Sequence, residues 1–235
     1  MTKIGILIRG YHKIVEHTTR NQRHYTSPKC FDFRECFFSF IKMIVEPLEQ
    51  AQYDISIYVS TYHSIIEKSL KGVPYLKNTI LLNENGSTQL KTYYEGLKSM
   101  PDTLDCYLVV RFDLWYKKKI TEWLPICIQE KPHICLSWKE YYNNWNKDRR
   151  VGDVIHFMNR EGKKILQSIL RIASNDKDFM HYLYPQLEHK GVHLTFLTQG
   201  YYDSNPTYDG RPECCNPFYI FWGRPYHHHD WPLGF

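Results

Sequence analysis

The chain predicts an α/β fold: a mixed, mostly parallel central sheet flanked by helices, in a single domain spanning residues 1–235. Three observations predict it. Apolar, β-branched runs at 3–10, 53–61 and 106–110 alternate with segments of helical periodicity, the pattern of a mostly parallel sheet. The run Cys106-Tyr-Leu-Val-Val is apolar without interruption, which suits a strand covered on both faces. No internal repeat and no interdomain linker interrupts the 235 residues, a length that buries one large core.

Taken in order, Lys3-Ile-Gly-Ile-Leu-Ile-Arg-Gly10 reads as a first buried strand ending in Arg-Gly. Residues 11–29 are polar, rich in His and Arg, and lack periodicity, so a loop or broken helix is expected. Residues 31–52 carry apolar side chains at helical spacing, bent near Pro47. Tyr53-Asp-Ile-Ser-Ile-Tyr-Val-Ser-Thr61 alternates and is β-branched, and reads as the second strand. A short helix is expected over 63–70, a short strand over 79–83, and a helix capped by Ser87 running to about Met100. Strands follow at 106–110 and 131–138, with a polar, aromatic loop at 141–150. Helices are expected over 154–173 and 177–189, the second stopped by Gly191. A last strand covers 192–198. From about residue 200, Gly, Pro, Asn and Tyr dominate, which predicts an irregular tail.

With 43% hydrophobic and 23% charged residues the chain is globular rather than disordered. A net charge of +5 suits an anionic small ligand but is too weak to imply nucleic-acid binding. The seven cysteines are irregularly spaced and form no CxxC pair, which argues against a structural zinc site and for free thiols in a reducing compartment. No signal peptide and no membrane span is expected, since the run Ile4 to Ile8 is too short for either. A cytoplasmic protein is the resulting expectation. The nucleotide-binding GxGxxG, the Walker A loop and the GxSxG elbow are all missing.

Three charged motifs fall at predicted strand ends or helix starts. Arg9-Gly10 closes the first strand, where Gly lets a phosphate approach the backbone and Arg can fork onto it; a tight turn with a surface Arg is the other reading. Arg111-Phe-Asp113 follows the central strand, where open α/β sheets bind ligands. Its carboxylate could share a divalent metal with a diphosphate, or could simply pair with Arg111. Asp153, in Val151-Gly-Asp-Val-Ile-His156, is either the N-cap of the expected helix or a general base whose pKa burial could lift. His193, beside His181 and His189, reads as a structural histidine, while the run His227-His-His229 could close over a metal, with an exposed run as the alternative.

The ordered set Ile8-Arg-Gly10, Tyr53-Asp-Ile-x-Ile-x-Val-Ser-Thr-Tyr62, Val109-Val-Arg-Phe-Asp-Leu114 and Gly152-Asp-Val-Ile-His-Phe-Met158 resembles GT-A-type nucleotide-sugar glycosyltransferases. The likeness is to the small type found in large DNA viruses and bacterial polysaccharide clusters, and it spans about residues 3–200. It implies a Rossmann-like sheet binding a nucleoside-diphosphate sugar of UDP or GDP type, a glycan acceptor, and a location in the cytoplasm (the host's, for a viral chain). Such enzymes use a DxD motif to hold Mn²⁺ or Mg²⁺. Here the matching position reads Arg111-Phe112-Asp113, which leaves Asp113 as the ligand and makes metal dependence an open question.

By position, the resemblance makes Arg9, Gly10, Thr61, Arg111 and Asp113 donor-binding residues and Asp153 the general base of an inverting transfer. A histidine from the C-terminal region, His193 or one of His227 to His229, would complete the metal shell. Trp138, Tyr141, Tyr142 and Trp145 would line the acceptor side, because flat aromatic rings pack on the C–H faces of sugars; ordinary packing is their alternative role. A non-catalytic carbohydrate-binding protein with a retained GT-A-like fold is the competing expectation. A nucleotidyl- or sulfotransferase is a third, weakened by the missing Gly-rich phosphate loop.

Overall fold

The computed structural model describes residues 1–11, 13–15, 30–64, 67–83, 85, 87–124, 130–140, 145, 149–173, 179–197, 201–202 and 219–221. Its elements run β1 (Lys3–Arg9), β2 (Lys13–Val15), β3 (Cys30–Asp32), α1 (Phe33–Phe40), a π-helical turn (Ile41–Val45), α2 (Glu46–Gln50), β4 (Asp54–Tyr62), β5 (Leu76–Leu82), α3 (Gln89–Ser99) and β6 (Cys106–Arg111). There follow β7 (Leu114–Tyr116), β8 (His133–Leu136), β9 (Lys139–Glu140), β10 (His156–Asn159), α4 (Arg160–Ala173), α5 (Leu183–His189), β11 (His193–Phe196), β12 (Tyr201–Tyr202) and β13 (Tyr219–Phe221). Seven strands form the main sheet in the order β11-β8-β10-β6-β1-β4-β5. All its pairings are parallel except those of β10, which runs antiparallel to both β6 and β8. The α/β class with a mixed, mostly parallel sheet is therefore observed.

Alternation along the strands builds two cores. Ile4, Ile6 and Ile8 of β1 join Ile57, Val59, Leu108 and Val110 beneath α1 and α2. Leu7, Tyr107 and Val109 point the other way and pack under α3, α4 and α5 with Tyr93, Leu97, Leu166 and Leu187. A strand with both faces covered must be apolar throughout, and β6 is buried from Cys106 to Val110. Gly96 lets α3 lie close to the sheet: a Cβ there would stand 2.6 Å from a Leu7 methyl.

The bend expected at Pro47 takes the form of the π turn just before it. Proline has no N–H to continue the α-helical ladder, and its ring crowds the carbonyl four residues back. The wider turn accommodates this, with the Glu46 N–H bonding the Ile41 carbonyl. The α3 helix is capped by Thr88, whose side chain accepts from the Lys91 N–H at 3.2 Å, one residue beyond the expected Ser87. Gly191 takes φ +71° after α5, as a helix stop requires.

One expectation is corrected. Residues 154–159 are not helical: His156–Asn159 is β10, fully buried between two strands, and the helix begins only at Arg160. Asp153 is therefore no helix N-cap. Its apolar neighbours Val154, Ile155, Phe157 and Met158 serve a strand packed on both faces. Most of the expected tail lies outside the described residues; its two described pieces pair as β12 with β9 and β13 with β7. Cys36, Cys106 and Cys135 are buried free thiols. Among the described residues no helix is long and apolar enough to cross a membrane.

Candidate functional site

The sheet order reverses direction at β1. After β1 the chain steps outward through β4 and β5, then returns to lay β6 on the opposite side of β1. Such a reversal opens a crevice at the carboxyl ends of the two strands. Arg9 and Arg111 stand there as direct register partners, the last residues of β1 and β6. Their alternation places both on the face covered by α3.

Arg9 is 1% exposed. Its Nη2 donates to the Asp153 carbonyl and lies 3.6 Å from Asp153 Oδ2. The guanidinium carbon sits 4.8 Å from the centre of the Tyr93 ring, a cation–π contact. Among the described residues its Nε and Nη1 have no hydrogen-bond partner. Burial pulls the Arg9 pKa below its ordinary value, Asp153 opposing and Arg111 reinforcing the shift. Arg111 forks onto Asp113, Nε to Oδ1 at 2.9 Å and Nη2 to Oδ2 at 2.8 Å. Its Nη1 lies 3.5 Å from Asp153 Oδ2. The side chains of Arg111 and Asp113 are each 16% exposed, that of Asp153 12%. Two guanidiniums and two carboxylates thus alternate in one nearly covered cluster.

The cluster decides how Asp153 behaves. Burial pushes its carboxyl up, but Arg111, His181, Arg9 and His156 together outweigh burial and hold it well below the ordinary carboxylate range. Asp153 is an ion held between Arg9 and Arg111 rather than a carboxyl poised near neutrality, so burial does not tune it upward.

The segment carrying Asp153 is tied at successive positions. The Gly152 N–H donates to the Trp138 carbonyl at 3.0 Å, and Val151 N–H to the His181 carbonyl at 2.8 Å. Ile155 N–H donates to Ser137 Oγ at 2.8 Å, which itself donates to the Ile155 carbonyl. His156 Nε2 lies 3.2 Å from the Gly152 carbonyl, and its Nδ1 2.7 Å from the Tyr93 hydroxyl. A carbonyl can only accept, which assigns the proton to Nε2 and makes Tyr93 the donor to Nδ1. Burial, then Arg9, lowers the His156 pKa to about 4, so this neutral tautomer persists at pH 7. Burial likewise lifts the Tyr93 phenol far above its ordinary value. Tyr93 and His156 were not singled out from the sequence, where a tyrosine inside a helix and a histidine opening an apolar run both read as core.

The remaining candidates fall in different places. Gly10 adopts φ +96°, its N–H donating to the Ser60 carbonyl at 3.2 Å and its carbonyl accepting from Thr61 Oγ1 at 2.6 Å. Thr61 thus fastens the turn beside Arg9. Trp138 is 1% exposed and lies under Gly152, where a Cβ would stand 2.5 Å from the indole. Trp145 is buried edge-on between Tyr184 and Phe196, under Lys139. Tyr141, Tyr142 and His227 to His229 lie outside the described residues. His193 opens β11 at the amino-terminal end of the sheet, its ring stacked on His133 at 5.2 Å; the fold does not bring it to Asp113. The Arg111 fork engages both Asp113 oxygens, and among the described residues no group of three or more His, Cys, Asp or Glu could hold a metal ion. The described side chains do not assemble a donor set for a divalent cation.

No protein-family model and no curated protein matches the chain. Solved structures do. A Drosophila β1,4-galactosyltransferase 7 variant, in complex with manganese, UDP-Gal and xylobiose, superposes with a TM-score of 0.50 at 13% identity, covering 97% of this chain and 74% of that one. The fold is GT-A-type. HddC from Yersinia pseudotuberculosis gives a TM-score of 0.49 at 13% identity, over 97% and 96% of the two chains. The catalytic domain of the Drosophila enzyme with xylobiose gives 0.47 at 12% identity; this chain covers 66% of its length.

Proposed function

We propose that the chain is a glycosyltransferase that moves a sugar from a nucleoside-diphosphate donor, of UDP or GDP type, to a glycan acceptor. The observation that carries the reading is the register pairing of Arg9 with Arg111 at the strand-order reversal, with Asp113 and Asp153 between and beside them. A cation pair at that crevice suits a diphosphate. The galactosyltransferase of like fold, whose complex holds UDP-Gal, supports the donor class.

In this reading the diphosphate takes the Arg111 fork, since guanidinium matches phosphate geometry as well as it matches carboxylate. That transfer matters for the base. With Arg111 drawn onto the diphosphate, Asp153 loses the largest of the attractions that hold its proton affinity down. Asp153 then accepts the proton of the acceptor hydroxyl as its oxygen attacks the anomeric carbon. The bond to the diphosphate breaks on the opposite face, inverting configuration, and the leaving charge falls on the guanidiniums. Gly10 and Thr61 shape the turn beside the diphosphate. Trp138 and Trp145 support the acceptor side from beneath, through Gly152 and Lys139. The whole chain acts as one domain.

The strong hold on Asp153 in the resting site favours one rival, a carbohydrate-binding protein that kept the fold without the chemistry. Turnover separates them. Purified protein is incubated with UDP- and GDP-sugars and a glycan panel, and release of nucleoside diphosphate is followed. The expected result is acceptor-dependent release that Asp153→Asn cuts by a factor of roughly 10² or more at unchanged donor affinity. Glycan binding with no release from any donor would establish the rival instead.

A further inference from the structure

We infer that the donor diphosphate is held by the Arg9–Arg111 guanidinium pair itself, without a divalent metal. The inference rests on the glycosyltransferase reading and specifies how its donor is gripped.

The argument starts from the chemistry of the position. A metal bridging a diphosphate needs carboxylate oxygens free to face it. At the end of β6 the residue two before Asp113 is a guanidinium, and it engages both Asp113 oxygens at 2.8 and 2.9 Å. A dication entering there would have to break that fork and then sit beside Arg111, a like charge. Asp153, the other nearby carboxylate, lies 3.5 Å from Arg111 and 3.6 Å from Arg9. Each acid in the cluster is thus already matched to a cation.

An anion must open the same fork, displacing the Asp113 carboxylate, but it then rests on the guanidinium itself rather than beside a like charge. Arg111 retains partial access to solvent, and its fork is the reachable one. Behind it, Arg9 is buried with Nε and Nη1 unpartnered among the described residues. Unpaired N–H groups on a buried cation are costly to leave in place. A phosphate oxygen drawn into the cluster lowers that cost, and so does the added negative charge. The β1–β6 register fixes the two guanidiniums as neighbours before any ligand arrives, so little is lost in ordering them. The pair supplies the two positive charges that a divalent ion would bring.

The test is isothermal titration of UDP, GDP and inorganic pyrophosphate into the wild-type chain, Arg111→Gln and Arg111→Asp, each in EDTA and in Mn²⁺. Wild type is expected to bind a nucleoside diphosphate with affinities that differ by less than about threefold between the two conditions. Arg111→Gln should weaken binding by about tenfold to a hundredfold in both, the worth of a charge-assisted fork. Arg111→Asp rebuilds a two-acid motif, and should bind only with Mn²⁺ present. Melting curves of both variants confirm folding; should Arg111→Asp not fold, Arg111→Gln carries the decision. Wild-type binding that requires Mn²⁺ would overturn the metal-free grip and leave the donor reading standing, and Arg111→Gln binding as tightly as wild type would do the same. Pyrophosphate binding in EDTA without any nucleotide binding would keep the anion site and remove the donor reading. Binding of none of the three, with or without metal, would end both.

Discussion

His156 is buried beside a guanidinium, and its neutrality has a consequence for stability. Its pKa is about 4 in the folded chain, against an ordinary 6.5. Between those values the unfolded chain binds a proton that the folded chain refuses. Stability therefore falls as pH drops from about 6.5 to about 4, by roughly 3 kcal/mol in all. The buried His133, lowered first by burial and then by His193, adds in the same direction. Asp153 acts in a separate, lower window: its carboxyl is depressed, so its contribution is lost only below the ordinary carboxylate value of 3.8. Urea midpoints at pH 7 and pH 5 should differ clearly in the wild type and much less in His156→Gln. Equal midpoints in the wild type would mean that His156 is not held neutral. Tyr93→Phe keeps the ring over Arg9 but leaves Nδ1 of His156 unpaired. It should cost about 1–3 kcal/mol, the penalty for one orphaned buried polar group, read from the same urea curves. A loss below ~0.5 kcal/mol would show that the hydroxyl contributes little.

Among the elements, the segment 151–155 joins sequence to chemistry most directly. Trp138 fills the space a side chain at Gly152 would need. Gly152→Ala should therefore cost about 1–3 kcal/mol through overpacking and also move the neighbouring Asp153. With Asp153 in its proposed role, a loss of turnover far exceeding the loss of stability is expected, because a small displacement of a catalytic group is expensive. Turnover preserved in a destabilised variant would uncouple the loop from the reaction. This is also where the sequence was least legible. Strands β1, β4 and β6 could be read because each is a β-branched run ended by a charge or a turn residue. The run Val154-Ile-His-Phe-Met158 has no breaker before the helical pattern of 160–173, and a short apolar run beside a helix is ambiguous between the two periods. Tertiary pairing with β6 and β8 decided it. The three charged members Arg9, Arg111 and Asp113 were legible as strand-end residues, whereas Asp153 was placed at the start of a helix that begins only at Arg160. What supports them was not: Tyr93 comes from α3, and nothing in its local pattern marks the turn of helix that faces His156. Lys163 was equally invisible, a buried lysine on α4 that reaches Asp102 at 2.6 Å and the Met100 carbonyl at 3.1 Å.

At the scale of the whole molecule, the strand order makes the site. Two strands that are 97 or more residues apart in sequence become neighbours because the chain crosses back over β1, and it is at the carboxyl ends of such strands that open α/β sheets bind ligands. In the proposed reading a ligand there would touch residues from β1, β6 and the segment before β10, bracing the centre of the sheet rather than an edge. Binding only to the folded state stabilises it by about 2.7 kcal/mol at a ligand concentration one hundred times Kd. For a chain of this size about 2–4 °C of melting temperature follows from each kcal/mol, so the correct donor should raise Tm by roughly 5–11 °C. A thermal-shift screen over nucleoside diphosphates and their sugars should single out one base. The shift should survive EDTA and shrink in Arg111→Gln. A flat screen against every nucleotide, with a clear shift from a glycan, would leave the GT-A-type fold in place and assign the crevice to carbohydrate binding.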